Sequence, residues 1–85
     1  MEEDWRLYGK EDSVERLLQG QTFVYRKFKT QGRNDHEHCF FCMDKIAEEG
    51  RGDYTHGYAR EDLEWWVCEQ CFADFKDMFD FKLKE

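Results

Sequence analysis

The apolar positions near the start of the chain follow a helical spacing. They recur three and four residues apart, at Val14, Leu17 and Leu18. This spacing predicts a short helix with one apolar face, capped at Asp12-Ser13 and ended by Gly20. Ahead of this helix, Trp5 and Tyr8 are large aromatic residues close to the terminus, and we expect them to hold that terminus against the fold.

The next segment, residues 21–29, is rich in aromatic and β-branched residues and predicts a strand. Its larger apolar residues divide between the two faces of a strand, as the pairs Phe23 with Tyr25 and Val24 with Phe28. This imperfect alternation predicts an edge strand that is partly covered on both sides. The polar residues 30–35 then predict a loop that leads to the first cysteine pair.

Four basic residues and no acidic one lie between Arg26 and Arg33. Lysine and arginine side chains commonly protect a strand at the edge of a sheet, and this is the interpretation that we favour. The alternative is a small docking patch for an acidic partner or a nucleic acid.

The second half of the chain predicts a hairpin that follows a short helical piece. Residues 43–49 have a helical composition and stop at the glycines of 50–52. Residues 54–59 and 63–67 predict two strands joined by a short polar turn. The second strand leads directly into the second cysteine pair.

Trp65 and Trp66 are adjacent in the second predicted strand. Because side chains alternate along a strand, the two indoles should point to opposite faces. One of them should enter the core, and the other should pack under the N-terminal segment or stay partly exposed. An exposed tryptophan could anchor a partner, although core packing is the interpretation that we favour.

The clearest helical pattern covers residues 71–82. Its apolar or long side chains recur at spacings of three and four residues, at Phe72, Phe75, Met78, Phe79 and Lys82. This pattern predicts a helix whose aromatic residues form one stripe against the core. Lys82 and Lys84 would then interact favourably with the dipole at its C-terminal end.

All the cysteines of the sequence fall into two C-x2-C pairs, Cys39 with Cys42 and Cys68 with Cys71. Two thiolates at this spacing can reach one metal ion from a tight turn, and four thiolates complete a closed tetrahedron around zinc. We therefore predict one structural Zn²⁺ per chain, bound by these four residues. Iron or another thiophilic metal could occupy the same ligands. Two disulfide bonds are the alternative, and they are typical of secreted proteins.

The second cysteine pair starts the predicted C-terminal helix. Backbone N–H groups and the helix dipole at that end favour negatively charged sulfur. His36 and His38 lie just before Cys39, so one of them could replace a cysteine ligand, or His38 could donate its ring N–H to a thiolate. Because four cysteines are already present, we interpret both histidines as ordinary loop residues.

Composition limits the size and the partners of the protein. The chain has 85 residues, and 20 acidic against 13 basic residues give a net charge of −7. This length predicts one domain, with an N-terminal helix and strand extension at residues 1–35 and a four-cysteine core at residues 36–85. So small a core gains much from a bound metal. The negative charge disfavours nucleic acid and favours basic partners.

The first four residues, Met1-Glu2-Glu3-Asp4, are acidic where a signal peptide would be basic. No apolar run approaches the length of a membrane-spanning helix. We therefore expect a cytoplasmic protein that has no contact with a membrane.

The order of cysteine turn, hairpin and cysteine pair at a helix start resembles the treble-clef group of zinc folds. In that group a knuckle supplies one ligand pair and the first helical turn supplies the other. The resemblance covers about residues 39–81 and implies a small zinc-stapled α+β domain, on which the N-terminal helix and strand would pack. The knuckle here has Met43 after Cys42, where common treble clefs have glycine.

A run of short motifs is also similar to a family of short, uncharacterised bacterial zinc-binding proteins. These motifs are Trp5-Arg6-Leu7, His36-x-His38-Cys39-x2-Cys42, Gly57-Tyr58 and Trp66-Val67-Cys68-x2-Cys71-Phe72-x-Asp74-Phe75. The similarity implies a bacterial, cytoplasmic zinc-binding protein and implies no substrate.

Together these patterns predict a small non-enzymatic zinc protein whose surface recognises another protein, for example an acidic antidote to a basic toxin. The sequence has no glycine-rich phosphate loop, no H-E-x-x-H motif and no nucleophile elbow, so we predict neither an enzyme nor a small-molecule substrate. Two alternatives stay open. One is a redox switch in which thiol oxidation releases zinc, and the other is a nucleic-acid-binding zinc ribbon, which the net charge disfavours.

Overall fold

The computed structural model describes residues 4–84 of the chain. Residues 1–3, which form most of the acidic start discussed above, lie outside the described residues, as does residue 85. The described residues form two α-helices, one 3-10 helix and six short strands, which confirms the α+β class. In chain order these elements are the 3-10 helix Trp5–Leu7, α1 Glu11–Leu17, β1 Thr22–Lys27, β2 His36–His38, β3 Lys45–Ala47, β4 His56–Arg60, β5 Trp66–Val67, α2 Glu69–Phe75 and β6 Lys82–Leu83.

Helix α1 confirms the first predicted helix but not its cap. Val14 and Leu18 are completely buried, so the apolar spacing does mark the packed face. The N-cap residue is Lys10, which makes no side-chain capping bond. The cap predicted at Asp12-Ser13 is therefore wrong, since both residues lie inside the helix. Gly20 follows with a left-handed φ of 71°, which suits its predicted role after the helix end.

The larger sheet has the strand order β5-β4-β1-β6, so β1 is a central strand. Strand β4 pairs antiparallel with β1 and places Tyr58 opposite Tyr25. Strand β6 pairs parallel with β1 on its other side and places Lys82 opposite Thr22. The prediction of an edge strand is wrong because the last strand of the chain covers that side. Within residues 4–84, β6 pairs with Thr22 and Phe23, so Arg26 and Lys27 lie beyond the part of β1 that it covers.

The second sheet is a hairpin of β2 and β3, and it replaces the helix predicted for residues 43–49. Ile46 and Ala47 in β3 are completely buried. Strand β2 pairs with one side of β3, and on the other side the Ala47 N–H donates to the Tyr54 carbonyl at 2.9 Å. These long-range partners outweigh the weak helical preference of the segment.

The predicted hairpin is confirmed by the antiparallel pairing of β4 with β5, in which Ala59 lies opposite Trp66. Strand β5 has only two residues, because the turn before it includes the first residues of the predicted strand. Leu63, in that turn, adopts a left-handed φ of 63°. Trp66 is 5% exposed and enters the core. Trp65 is half-buried and meets the ring of Phe40 edge-on at a centroid distance of 5.5 Å.

Helix α2 is shorter than predicted, because it ends at Phe75 and the periodicity had predicted a helix over residues 71–82. Phe72 and Phe75 are buried as expected. Met78, which shares the same spacing, is 61% exposed.

The chain turns sharply a few residues after α2. Asp80 has a left-handed φ of 55°, and the next residue, Phe81, is buried with its ring centroid 4.8 Å from that of Phe23. Lys82 then lies in strand β6. The predicted interaction of Lys82 and Lys84 with a helix dipole is therefore wrong.

The core is mainly aromatic, and it contains cysteines. Five of its phenylalanine rings contact one another, namely those of Phe23, Phe41, Phe72, Phe75 and Phe81. Cys39, Cys68 and Cys71 are buried in the same cluster, together with Val14 and Leu18 of the N-terminal helix. Within residues 4–84, no helix combines the length and the hydropathy needed to cross a lipid bilayer.

Candidate metal centre

The four cysteines that the sequence pairs predict as metal ligands lie together in the structure. Their Sγ atoms are all within 4.8 Å of one another, and Cys42 Sγ lies 3.7 Å from Cys68 Sγ. A tetrahedron with metal–sulfur bonds of about 2.3 Å has sulfur–sulfur distances of about 3.8 Å. The cluster could therefore hold one metal ion with little rearrangement.

The first pair lies in the turn between β2 and β3. The Cys39 N–H donates to the Asp44 carbonyl at 2.9 Å, and the Cys39 carbonyl accepts from the Met43 N–H at 3.0 Å. The Phe41 N–H donates to Cys39 Sγ at 3.4 Å, which stabilises negative charge on that sulfur. Met43 takes a left-handed φ of 68°, so the turn forms with methionine in a conformation that glycine adopts more easily.

The second pair lies where β5 passes into α2. Cys68 is the N-cap residue of the helix, and its Sγ accepts the N–H of Cys71 at 3.4 Å. This bond confirms the predicted donation from the first helical turn to a cysteine sulfur. The Phe40 N–H also donates to the Trp66 carbonyl at 2.8 Å, so the two cysteine segments are joined by a backbone bond next to the sulfurs.

Contacts between the sulfurs lower the pKa of the Cys39 thiol, whereas such contacts and burial raise the pKa values of the Cys71 and Cys42 thiols. Hydrogen bonds from Cys68 and Cys71 lower the pKa of Cys39 to about 2. The bond to Cys39 raises the pKa of Cys71, and burial raises the pKa of Cys42 to about 12. Because adjacent thiolates repel one another, negative charge on all four sulfurs is costly without a cation. A bound metal cation would instead favour four thiolates.

An arginine from the start of the chain contacts the cluster. Arg6 Nη1 donates to Cys71 Sγ at 3.4 Å and to Asp74 Oδ2 at 2.8 Å. The guanidinium carbon lies 4.4 Å from the ring centroid of Phe75. Asp4 accepts bonds from Arg6 Nη2 at 2.6 Å and from Nε at 3.0 Å. This ion pair raises the pKa of Arg6 and lowers the pKa of Asp4 to about 2.

The contacts of Arg6 correct the expectation about the N-terminal segment. Trp5 is 68% exposed and Tyr8 is 74% exposed, so these aromatic residues do not hold the segment against the fold. Arg6 and the half-buried Leu7 do so instead. Sequence reasoning missed this role because Cys71 lies 65 residues further along the chain. The available signal was the position of Arg6 inside the Trp5-Arg6-Leu7 run, one of the motifs on which the resemblance in the sequence analysis rests.

A cleft of about 600 Å³ opens over one side of the cluster. Cys42 is half-exposed, whereas the other three cysteines are buried. The cleft combines carboxylates, aromatic rings and cysteines, and it is lined by Asp4, Trp5, Arg6, Cys42, Asp44, Tyr54, Cys68, Gln70 and Cys71. Asp4 in this lining is paired with Arg6, and the Cys42 side of the cluster is open to the cleft.

Among the described residues, the group of candidate metal ligands contains no histidine. His38 Nδ1 donates to the Met43 carbonyl at 3.0 Å and so supports the knuckle turn, not a thiolate. His36 Nδ1 lies 2.7 Å from Asp35 Oδ1. Both histidines belong to strand β2, which corrects the expectation that they lie in a loop.

A comparison of the chain with protein-family models, curated proteins and solved structures finds no match. The resemblances to treble clefs and to the bacterial proteins therefore rest on the residues of this chain alone. Any function must be argued from the cysteine cluster and its surroundings.

The left-handed conformation of Met43 gives a prediction about stability. Met43 is 58% exposed, so replacing it removes little packing. Met43→Gly should raise the free energy of unfolding of the metal-loaded protein by up to about 1 kcal/mol, because glycine adopts positive φ without a steric penalty. Met43→Ala is the matched control, since it removes the same side chain and keeps the penalty. Denaturant unfolding measures both, and equal effects of the two variants would contradict a strained turn.

Proposed function

We propose that the four cysteines bind one structural Zn²⁺ and that residues 39–75 form a treble-clef-like zinc fold. The observation that carries this proposal is the convergence of four sulfurs, three of which belong to buried core residues. The β2–β3 knuckle, the β4–β5 hairpin and the start of α2 follow in the order that the resemblance implies. Four thiolates fill a tetrahedral coordination shell and leave no position for a substrate, which supports a structural metal.

Burial supports a cation at this site. Cys39, Cys68 and Cys71 are buried, and an uncompensated thiolate in such a position is costly. A divalent cation compensates that charge and joins the knuckle to the helix. Structural zinc contributes an apparent binding free energy of about 10–16 kcal/mol in small zinc domains, which is more than a small core supplies alone.

We further propose that the metal-loaded protein binds another protein and does not catalyse a reaction. Trp5 and Tyr8 are exposed aromatic residues, and side chains of this kind commonly anchor interfaces. The net charge of −7 favours a partner with a basic surface, as an antidote to a basic toxin would have, and it disfavours nucleic acid. A site of four reduced thiols suits a cytoplasmic protein.

The position of Cys42 favours a second candidate function, a thiol redox switch. This half-exposed cysteine lines the cleft, and its Sγ lies 3.7 Å from Cys68 Sγ. The Cys42 thiolate would attack hydrogen peroxide and form a sulfenic acid with release of hydroxide. The Cys68 thiolate would then displace a second hydroxide and form a disulfide. The two sulfurs lose two electrons, peroxide is reduced to two hydroxide ions that take up protons from solvent, and the metal is released because it loses two ligands.

Purification without chelator tests the structural metal. We expect one zinc per chain, four thiols that resist alkylation, and loss of secondary structure by circular dichroism when a strong chelator removes the metal. Restoring zinc should restore the signal, and restoring magnesium is the control, because magnesium does not favour thiolate ligands. A chelated protein that keeps its fold and its unfolding midpoint would contradict a structural role.

The same preparation, made from the native host, tests the proposed partner. A basic protein should co-purify with the wild type and be lost from the Trp5→Ala variant, while Met78→Ala, another exposed apolar position, retains it. Recovery of DNA or RNA in place of a protein would support the nucleic-acid alternative instead.

Mild peroxide treatment of the zinc-loaded protein distinguishes the redox candidate. The switch requires that zinc release and a Cys42–Cys68 disulfide, mapped by mass spectrometry, appear together and reverse with a thiol reductant. Slow, irreversible oxidation to sulfinic or sulfonic acids would leave the cluster as an ordinary structural site.

A further inference from the structure

One side chain provides the polar connection between the N-terminal segment, defined as residues 4–8, and the rest of the fold. The backbone hydrogen bonds recorded for this segment are all local. Within the described part of the chain, its bonds to distant residues come from Arg6 and end on Cys71 and Asp74. The half-buried Leu7 adds an apolar contact. Docking of the segment therefore depends on the groups that accept hydrogen bonds from the Arg6 guanidinium.

The guanidinium is held in one orientation between two elements. Asp4 binds Nε and Nη2 on one side, which leaves Nη1 to face helix α2. On α2, Cys71, Asp74 and Phe75 are three and four residues apart, so they present one face to the arginine. A fixed N–H donor thus lies 3.4 Å from a cysteine sulfur of the proposed metal site.

The strength of this bond depends on the charge of the sulfur. A metal-bound cysteine is a thiolate, and four thiolates around one divalent cation leave the cluster with a net negative charge. Arginine stays protonated, and its bond to a charged sulfur is stronger than its bond to a neutral thiol. The bond to Asp74 does not change in this way, because that carboxylate is charged in either state.

We infer that Arg6 is a positioning residue of the metal centre and that metal binding and docking of the N-terminal segment stabilise each other. This inference rests on the proposed metal site. By linkage, whatever the docked segment adds to metal affinity, the metal adds to docking. The segment carries the exposed Trp5 and Tyr8. Metal occupancy therefore controls whether this aromatic surface is presented in a fixed position.

Metal affinity of matched variants tests the inference. Co²⁺ is the probe, because its thiolate charge-transfer absorption reports the ligands directly, and competition with a chelator gives the affinity. Arg6→Met should bind Co²⁺ about tenfold more weakly than the wild type, as is typical when an outer partner of a metal ligand is lost. Asp74→Asn removes the ion pair between Arg6 and Asp74 but keeps an oxygen acceptor at that position and the bond of Arg6 to the sulfur, so its affinity should stay within about twofold of the wild type.

Amide exchange of the zinc-loaded proteins gives a second readout. In Arg6→Met the amides of Leu7 and Tyr8 should exchange at least about tenfold faster, while those of β1 and β4 keep their protection. If that variant does not fold, Arg6→Lys replaces it, with an intermediate loss expected because one ammonium cannot hold the sulfur and both carboxylates in the same geometry.

Wild-type affinity in Arg6→Met, or an equal loss in Asp74→Asn, would overturn the inference and leave the proposed zinc site standing. A wild-type protein that binds no Co²⁺ or Zn²⁺ would overturn the proposed site and the inference together.

Discussion

The convergence of four cysteine sulfurs is the contact on which the rest of the structure depends. It brings the turn between β2 and β3 against the start of α2, and the aromatic core packs around three of the four side chains. The strands are short, several having only two or three residues, and hairpins of that length are marginal alone. The metal that we propose at the sulfurs would join these pieces in so small and acidic a chain.

The site is not equally enclosed on all sides. Cys39, Cys68 and Cys71 face the core, and Arg6 covers the Cys71 sulfur from the N-terminal segment. Cys42 faces the cleft. The three buried cysteines favour a structural metal that stays bound. The half-exposed Cys42 allows the metal to exchange or the sulfur to be oxidised, so the same geometry supports both candidate functions. Arg6 contacts the Cys71 sulfur and so joins the cluster to a segment that carries exposed aromatic residues.

The local parts of this design could be predicted from the sequence, and the long-range parts could not. The C-x2-C spacing identifies the cysteine cluster because each pair needs only its own turn, and the hairpin before Cys68 follows from composition. Residues 43–49 form a strand only because β2 and Tyr54 supply partners, and β1 is central only because β6 returns to it. Arg6 was missed for the same reason: its sulfur contact joins opposite ends of the chain.

X-ray absorption at the zinc edge of the loaded protein tests the central claim most directly. The convergence of the sulfurs predicts one zinc per chain surrounded by four sulfur atoms at about 2.3 Å, with no lighter atom bound to the metal. Nitrogen or oxygen atoms bound directly to the zinc would show that the four cysteines are not the complete ligand set. Much less than one zinc per folded chain would show that the fold does not depend on the metal.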